Sequence, residues 1–237
     1  MAIGVTLGVN TGSTSNVTSY ASGSFTPAAN DGLIAFVVAG ATVAAGSMTD
    51  SQQSKSWTKI IQTLFQSDGS SLYVFLGPVL FSNSSMTVTF DCTGDAANGA
   101  YIYVARLTGF DTTPPGIRQA KGTSGTAGGT PAVTMDFAFN TNNCGLAIAG
   151  NGANPAALTP PTNWTETNGI DAGYGTPATG AQFCNRVSGE TGSTITYGAT
   201  SGTDWGLAVI EVYASGQGPI VLDNIGQSGF FGVSGTV

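Results

Sequence analysis

One series of short segments occurs twice in this chain, and this recurrence is the strongest constraint that the sequence places on the fold. The pair Trp57-Thr58 recurs as Trp164-Thr165, 107 residues later, in a chain with only three tryptophans. The same shift places SMTVTF (85–90) on GSTITY (192–197). A period of this length predicts duplication of a domain-sized unit.

Two further matches follow the same order along the chain. The shift of 107 places Gly99 on Gly206, whereas a shift of 113 places Leu33 of GLIAFVVAG on Leu146 of GLAIAG. The shifts differ by six residues, which corresponds to a small deletion in the loop before the second tryptophan. We therefore expect Trp57 and Trp164 to occupy equivalent, largely buried core positions in two related halves.

The repeated segments have the pattern of β-strands, and sustained helical spacing of apolar residues is almost absent. GLIAFVVAGA (32–41) is a continuous apolar run, which favours a strand buried on both faces. IIQTLFQS and SSLYVFL flank Asp68-Gly69, which predicts a β-hairpin. With about seven short strands per half, separated by turn residues, the chain is expected to be all-β: a tandem duplicated antiparallel β-sandwich, jelly-roll-like, with an extended C-terminal arm.

The predicted divisions are residues 1–113 for the first sandwich repeat, 114–214 for the second and 215–237 for the arm. The pattern leaves open whether the halves form two sandwiches or two lobes of a larger one. Ile117–Pro131 is either a linker or the first, weak strand of the second repeat.

The arm carries apolar side chains on a glycine-rich segment that cannot build its own core. It either docks on its own domain or on a neighbouring subunit, and the sequence leaves both open. The predicted assembly residues are Ile220, Val221, Leu222, Ile225, Phe230 and Phe231.

The charge content limits the partners of this chain. Only 8% of residues are charged, against roughly 25% in an ordinary soluble domain. Weak charge repulsion favours association, so a homo-oligomer is expected. The six basic residues form no cluster, which argues against binding to nucleic acid or to an anionic membrane. The first residues, MAIGVTLGVN, lack the pattern of an export signal, which predicts synthesis in a cytoplasm.

The residue types also argue against catalysis. The chain has no histidine, which removes the Ser-His-Asp, Cys-His and histidine-ligated metal systems. The only glutamates are Glu166, Glu190 and Glu211, and none recurs at its repeat-equivalent position. Glu211 lies within AVIEVY and, if buried, needs a partner, for which Arg106 is the candidate by type. We expect no enzymatic activity, no catalytic residue and no cofactor.

Three other groups of residues are better explained by structure than by binding. Asp91 and Asp95 could contribute to a calcium site, but aspartate and glycine are ordinary turn residues, and no metal site is assigned. The three cysteines, Cys92, Cys144 and Cys184, fit no metal or redox spacing and are expected to be buried free thiols. The alternative is one disulfide with one thiol left over. Trp164 and Tyr174 could line a sugar site, although core packing is the preferred interpretation for Trp164.

Several of these segments, taken together, resemble a known group of proteins. The segments are SLYVFL, TVTF, ARLTGFDTTPPGIRQAKGTSG, CGLAIAG and DWGLAVIEVYA, and the resemblance covers roughly Leu33 to Ala214. They resemble a loose family of tandem β-sandwich, jelly-roll-like proteins found among bacteriophage virion structural proteins and bacterial surface proteins. The resemblance implies a virion or surface role without enzymatic activity.

The expected function is therefore a bacteriophage virion structural protein, in the first place an outer capsid decoration or cement protein made in the host cytoplasm. Its partners would be the major capsid protein or neighbouring copies of the chain. A tail or fibre component is a neighbouring interpretation. The alternative class is a carbohydrate-binding or adhesion module that recognises glycans. A hydrolase is the weakest hypothesis and would need two glutamates within ~5–9 Å of each other in a cleft.

Overall fold

The computed structural model describes residues 3–40, 45–53, 57–65, 69–78, 82–92, 94, 96–112, 116–152, 158–166, 172–174, 179–198 and 203–218. Within these residues the chain forms sixteen β-strands and no helix, and every strand pair is antiparallel. The predicted all-β sandwich class is confirmed.

The strands divide between two stretches of the chain. The first stretch contains β1 (Gly4–Val17), β2 (Ser19–Ala21), β3 (Gly32–Ala39), β4 (Ser47–Asp50), β5 (Thr58–Phe65), β6 (Ser70–Leu76), β7 (Val88–Asp91) and β8 (Ala97–Thr108). The second contains β9 (Ile117–Gly125), β10 (Ala132–Thr134), β11 (Cys144–Asn151), β12 (Thr165–Glu166), β13 (Ala172–Tyr174), β14 (Thr179–Arg186), β15 (Thr194–Thr196) and β16 (Trp205–Val212). The predicted boundary after residue 113 lies outside the described residues.

Each stretch builds one large and one small sheet. The first large sheet has the order β1-β8-β3-β6-β5, and the first small sheet has the order β2-β7-β4. The second large sheet has the order β12-β14-β11-β16-β9, with β13 also paired to β14, and the second small sheet is β10-β15. The strand of residues 117–125 is the outermost strand of its sheet, so the interpretation of this segment as the first strand of the second repeat is confirmed.

The four sheets stack as layers with three apolar cores between them. The central core joins the two large sheets and contains Phe36 and Tyr103 of the first and Phe183 of the second. The first outer core lies between the first large and small sheets, and the second outer core lies between their counterparts. Each large sheet is therefore covered on both faces, and every residue of β3, β11 and β16 is buried. This confirms the prediction made from the apolar run at 32–41.

Strand order agrees between the two stretches. The first large sheet runs β1-β8-β3-β6-β5, and the second, read from its first strand, runs β9-β16-β11-β14-β12. In both sheets the first strand of the stretch pairs with the last one, the central strand is a long apolar strand, and the far outer strand directly follows a tryptophan. β5 contacts β9 and β1 contacts β13, so the first strand of each large sheet lies opposite the far side of the other. The two large sheets therefore share one strand order and run in opposite directions across their interface.

One of the predicted alignments is wrong. Leu33 packs in the first outer core, whereas Leu146 packs in the central core. Because side chains alternate along a strand, the shift of 113 places these residues on opposite faces of their sheets. The shift of 107 keeps the faces in agreement, since Phe90 and Tyr197 both lie in outer cores.

The large sheets interlock at the side chain of Phe65. Phe65, on the outer strand β5, is only 3% exposed. Its ring lies where Cβ atoms on Gly150 and Gly206 would come within 2.8 and 2.5 Å of it, and these two glycines are paired across β11 and β16. Because glycine has no side chain, this pair leaves a slot in the second large sheet, and the slot accepts the ring of Phe65 from the first.

Candidate interaction surfaces

Among the described residues β1 is the longest outer strand, and its composition differs from those of two other outer strands, β5 and β9. β1 extends over 14 residues without a charged residue or a proline. By contrast, β5 carries Lys59 and β9 carries Arg118 and Lys121. Charged side chains on an outer strand oppose pairing with another chain. Among the described residues β1 pairs with β8 alone, so its free edge is a surface suited to strand addition.

Two bulges divide β1 along its length. Its pairing with β8 shifts register between Leu7 and Val9 and again between Ser13 and Asn16. Bulges twist an edge and interrupt pairing, which is one of the ways in which proteins restrict edge association. The regular stretch from Val9 to Ser13 is thus the segment of β1 best able to accept a further strand.

A shallow cleft of about 200 Å³ opens between β1 and β2. It is lined by the hydroxyls of Thr11, Ser13, Ser15 and Ser19. The Tyr20 hydroxyl connects the strands at the edge of this cleft. It accepts a hydrogen bond from the Gly99 N–H at 3.1 Å and lies 2.6 Å from the Ser15 carbonyl oxygen. Burial raises the pKa of Tyr20, so this phenol stays protonated at neutral pH.

A larger polar cleft lies between the two halves, with a volume of about 510 Å³. Val5 of β1 contributes one wall, and residues around β12 and the end of β14 contribute the rest: Asn163, Thr165, Glu166, Asn185, Arg186, Val187 and Ser188. Asn163 has a left-handed backbone conformation, with φ of 65°. Amide, carboxylate and guanidinium groups side by side can hydrogen-bond a polyhydroxylated ligand.

An apolar hollow of about 40 Å³ lies at one end of the central core. Its apolar lining comes from both large sheets and from the connection between them: Leu33, Leu76, Leu107, Phe110, Ile117 and Val212. Asp111 also lines the hollow and accepts a hydrogen bond from the Gly218 N–H at 3.0 Å. The last described residue therefore lies beside the hollow.

Glu211 is the common hydrogen-bond acceptor of a polar network in the second half. This carboxylate is fully buried and accepts hydrogen bonds from the side chains of Arg118, Gln119 and Asn143 at 2.7, 2.5 and 2.8 Å. The Asn140 N–H donates a fourth bond at 2.8 Å. The prediction that Glu211 needs a partner is confirmed, but the predicted partner Arg106 is wrong.

Arg106 instead pairs with a different carboxylate at the other side of the molecule. Its Nε lies 2.6 Å from Asp31 Oδ2. Arg106 is on β8 and faces Asp31 just before β3, whereas Glu211 on β16 faces the loop before β11. Repeat-equivalent strands thus use different partners, because each charged group is satisfied by neighbouring residues of its own half.

The Glu211 network presents one exposed aromatic ring. Phe137 is 62% exposed, while its N–H and carbonyl are both bonded by the side-chain amide of Gln119. The guanidinium of Arg118 lies 5.7 Å from the centre of the Phe137 ring. Exposed aromatic and arginine side chains that are held in fixed positions are typical of contact sites.

The two tryptophans are buried as predicted. Trp57 is 5% and Trp164 is 6% exposed, and each directly precedes the outer strand of a large sheet and packs in an outer core. Each indole N–H donates to a carboxylate, Asp50 at 3.0 Å and Glu190 at 2.9 Å. In both cases the second carboxylate oxygen accepts two consecutive backbone N–H groups.

The carboxylates that serve these indoles could not have been found from the repeat alignment. Asp50 precedes Trp57 in the chain, whereas Glu190 follows Trp164. Although burial raises the pKa of Glu190, hydrogen bonds from the Gly192 N–H, the Trp164 indole and the Thr191 N–H, together with the charge of Arg186, bring it below its ordinary value.

The remaining predicted residues have mixed outcomes. Cys92, Cys144 and Cys184 are buried free thiols, as expected, and burial raises the pKa of Cys144 and of Cys184. Asp91 is exposed on β7, and Asp95 and Tyr174 lie where side chains are not described. The assembly residues from Ile220 to Phe231 also lie outside the described residues. In the described part of the chain, no group of three or more His, Cys, Asp or Glu is placed to hold a metal ion.

No protein-family model matches the sequence, and no curated protein matches it. Over the residues that the structure describes, no helix is long and apolar enough to cross a membrane.

Proposed function

We propose that this chain is a bacteriophage virion structural protein, in the first place an outer capsid decoration or cement protein. It acts through contacts with the major capsid protein or with neighbouring copies. The observation that carries the proposal is the free edge of β1, which is long, uncharged and without proline. A strand from a neighbouring subunit can extend the first large sheet there through main-chain hydrogen bonds.

The build of the molecule supports this role. Both large sheets are covered on both faces, so the free backbone hydrogen-bonding groups of the four-layered body lie at sheet edges. The surface carries few charges, and weak repulsion between copies suits a protein that is crowded into a shell. The uncharged β1 edge and the apolar arm are the two segments proposed to make subunit contacts.

The proposal is tested on particles from cells that carry the gene. Particles are separated on a density gradient, and peptides of this chain are measured in each fraction by mass spectrometry. The chain is expected to sediment with DNA-filled particles, and antibody labelling is expected on their outer surface. Recovery only in the soluble fractions at the top of the gradient would refute a virion role.

The role of β1 is tested separately by placing a charge on its edge. Asn10 is a half-buried polar residue within the regular stretch of β1, and Thr58 is an exposed residue of β5 beside Lys59. Asn10→Lys is expected to weaken association of the purified chain at least tenfold, measured by sedimentation velocity or by binding to particles that lack the chain. Thr58→Lys is the matched control and should leave association unchanged, since that edge already carries a lysine.

A second function is favoured by the polar cleft between the halves. Its size and its amide, carboxylate and guanidinium lining suit a carbohydrate, which would make the chain an adhesion module. Binding of the full chain to a glycan array would support this alternative. Asn163→Gly retains the left-handed backbone while removing the amide, and it should reduce such binding if the cleft is the site.

A further inference from the structure

We propose that the free edge of β1 pairs with the same edge of a second copy of this chain, antiparallel and about a two-fold axis at Thr11. The five-stranded large sheets of the two copies are then continuous across the contact. The inference rests on the proposed role of β1 in subunit contacts, and it adds the partner and the register. A two-fold contact of this kind is isologous, because one strand supplies both of its sides.

The direction of the main-chain groups of β1 follows from its pairing with β8. Gly40, directly after β3, donates its N–H to the Gly99 carbonyl at 2.9 Å, so this carbonyl points away from β1. In a planar trans peptide the next N–H points the opposite way, so the Ala100 N–H points towards β1. Ala100 pairs with Ser13, and the pairing is regular from Ser13 back to Val9. Every second residue of this stretch, counted from Ser13, therefore bonds to β8.

The two residues between them, Asn10 and Gly12, direct their N–H and carbonyl groups to the free edge. They lie one on each side of Thr11. A two-fold axis at Thr11 places Asn10 of each copy opposite Gly12 of the other, and each such pair can exchange two main-chain hydrogen bonds. An axis at Asn10 or at Gly12 would instead bring a bulge into the ladder, and bulges interrupt pairing. The regular stretch therefore selects Thr11 as the centre.

The absence of charge on β1 suits pairing with its own copy in particular. In an isologous strand pair a charged side chain near the axis meets the same charge, and like charges opposite each other are destabilising. The strands at the other ends of the large sheets carry charges: Lys59 on β5, Arg118 and Lys121 on β9, and Glu166 on β12. β1 can pair with itself without this repulsion, whereas β5, β9 and β12 cannot.

The first test measures amide hydrogen exchange of the wild-type chain by NMR at two protein concentrations. Pairing between copies protects the amides of Asn10 and Gly12, which do not bond to β8, so their exchange should slow at least tenfold at the higher concentration. Exchange along β5 is the internal control and should not depend on concentration. Fast exchange of the Asn10 and Gly12 amides at both concentrations would overturn the proposal.

The second test examines the register. Thr11 bonds to β8, so at the axis it forms a non-hydrogen-bonded pair with its own copy, with Cα atoms about 4.5 Å apart, and a disulfide can span this distance. Thr11→Cys should therefore give a covalent dimer on mild oxidation, seen on a non-reducing gel. Thr58→Cys on β5 is the matched control and should stay monomeric, since the three native thiols are buried. No dimer from Thr11→Cys, or equal dimer from both variants, would refute pairing centred on Thr11.

Failure of this inference is distinguishable from failure of the proposed function. If the purified chain stays monomeric in sedimentation velocity while Asn10→Lys still weakens binding to particles, the edge accepts a strand of another protein. Self-pairing is then refuted and the virion role stands. If β1 pairs in solution and the chain is absent from particles, self-pairing stands and the virion role is refuted.

Discussion

The interlock at Phe65 makes a quantitative prediction about how the two large sheets are held together. The ring is buried against Val38 of its own sheet and against the glycine slot of the other sheet. Phe65→Ala removes the ring and leaves a cavity whose floor is the paired backbone of β11 and β16. Paired strands collapse little, so the loss should lie near the upper part of the usual range, about 4 kcal/mol of the free energy of unfolding.

Gly206→Ala perturbs the same contact from the other side. Its Cβ would lie 2.5 Å from a ring carbon of Phe65, about 1 Å closer than an ordinary contact. Overpacking of this kind should cost about 1–3 kcal/mol in the wild-type chain. When Phe65 is already alanine, the added methyl group partly fills the cavity, and the cost should disappear. The double-mutant cycle should therefore give a coupling energy of about 1–3 kcal/mol.

The assay is equilibrium unfolding in urea followed by tryptophan fluorescence. All three tryptophans are buried, and they lie in both halves, so the signal reports on the whole body. Leu64→Ala is the control, because Leu64 adjoins Phe65 in the chain but is 49% exposed. This substitution should change the free energy of unfolding by about 0.5 kcal/mol or less. Effects of Phe65→Ala and Gly206→Ala that add within about 0.5 kcal/mol would show that the ring does not occupy the glycine slot.

Three further predictions concern the buried polar groups and thiols. The pKa of Glu190 is lowered in the folded chain, so its contribution to stability is present at neutral pH and is lost as the pH falls through the folded pKa. Glu190→Gln should therefore flatten the decline of the free energy of unfolding below about pH 4.5. The measurement is urea unfolding at several pH values. Glu211→Leu should cost about 3–5 kcal/mol, because it leaves Arg118, Gln119 and Asn143 without their shared acceptor, and a change below 1 kcal/mol would contradict a structural role. The three cysteines should resist a thiol reagent in the native chain and react fully in denaturant; rapid labelling of any one under native conditions would be inconsistent with its burial.

The sequence predicted those features that depend on local pattern. Continuous apolar runs identified strands buried on both faces, and the recurring Trp-Thr pairs identified equivalent positions before the outer strands of the large sheets. The partner of Glu211 was not predictable, because Arg118 reaches it only through the pairing of β9 with β16. The roles of Asp50 and Glu190 were hidden for a similar reason, since they come from different sides of their tryptophans in the chain.

The error in aligning Leu33 with Leu146 shows the limit of matching by residue type in a chain of this kind. Both strands are buried on both faces, so apolar residues occur at every position and the sequence does not show which face is which. The face is fixed only when a second sheet is packed on each side. A sandwich with one exposed face would have shown this difference as an alternation of polar and apolar residues.

Gly206 is matched with Gly99 by the shift of 107, and the structure shows that it has a packing role of its own. The ring of Phe65, at the end of β5, lies where a side chain on Gly206 would lie. The same ring occupies the position of a Cβ on Gly150, which is paired with Gly206 across β11 and β16. The two glycines therefore position the first large sheet on the second, because a shift of one sheet against the other would move the ring off the paired glycines.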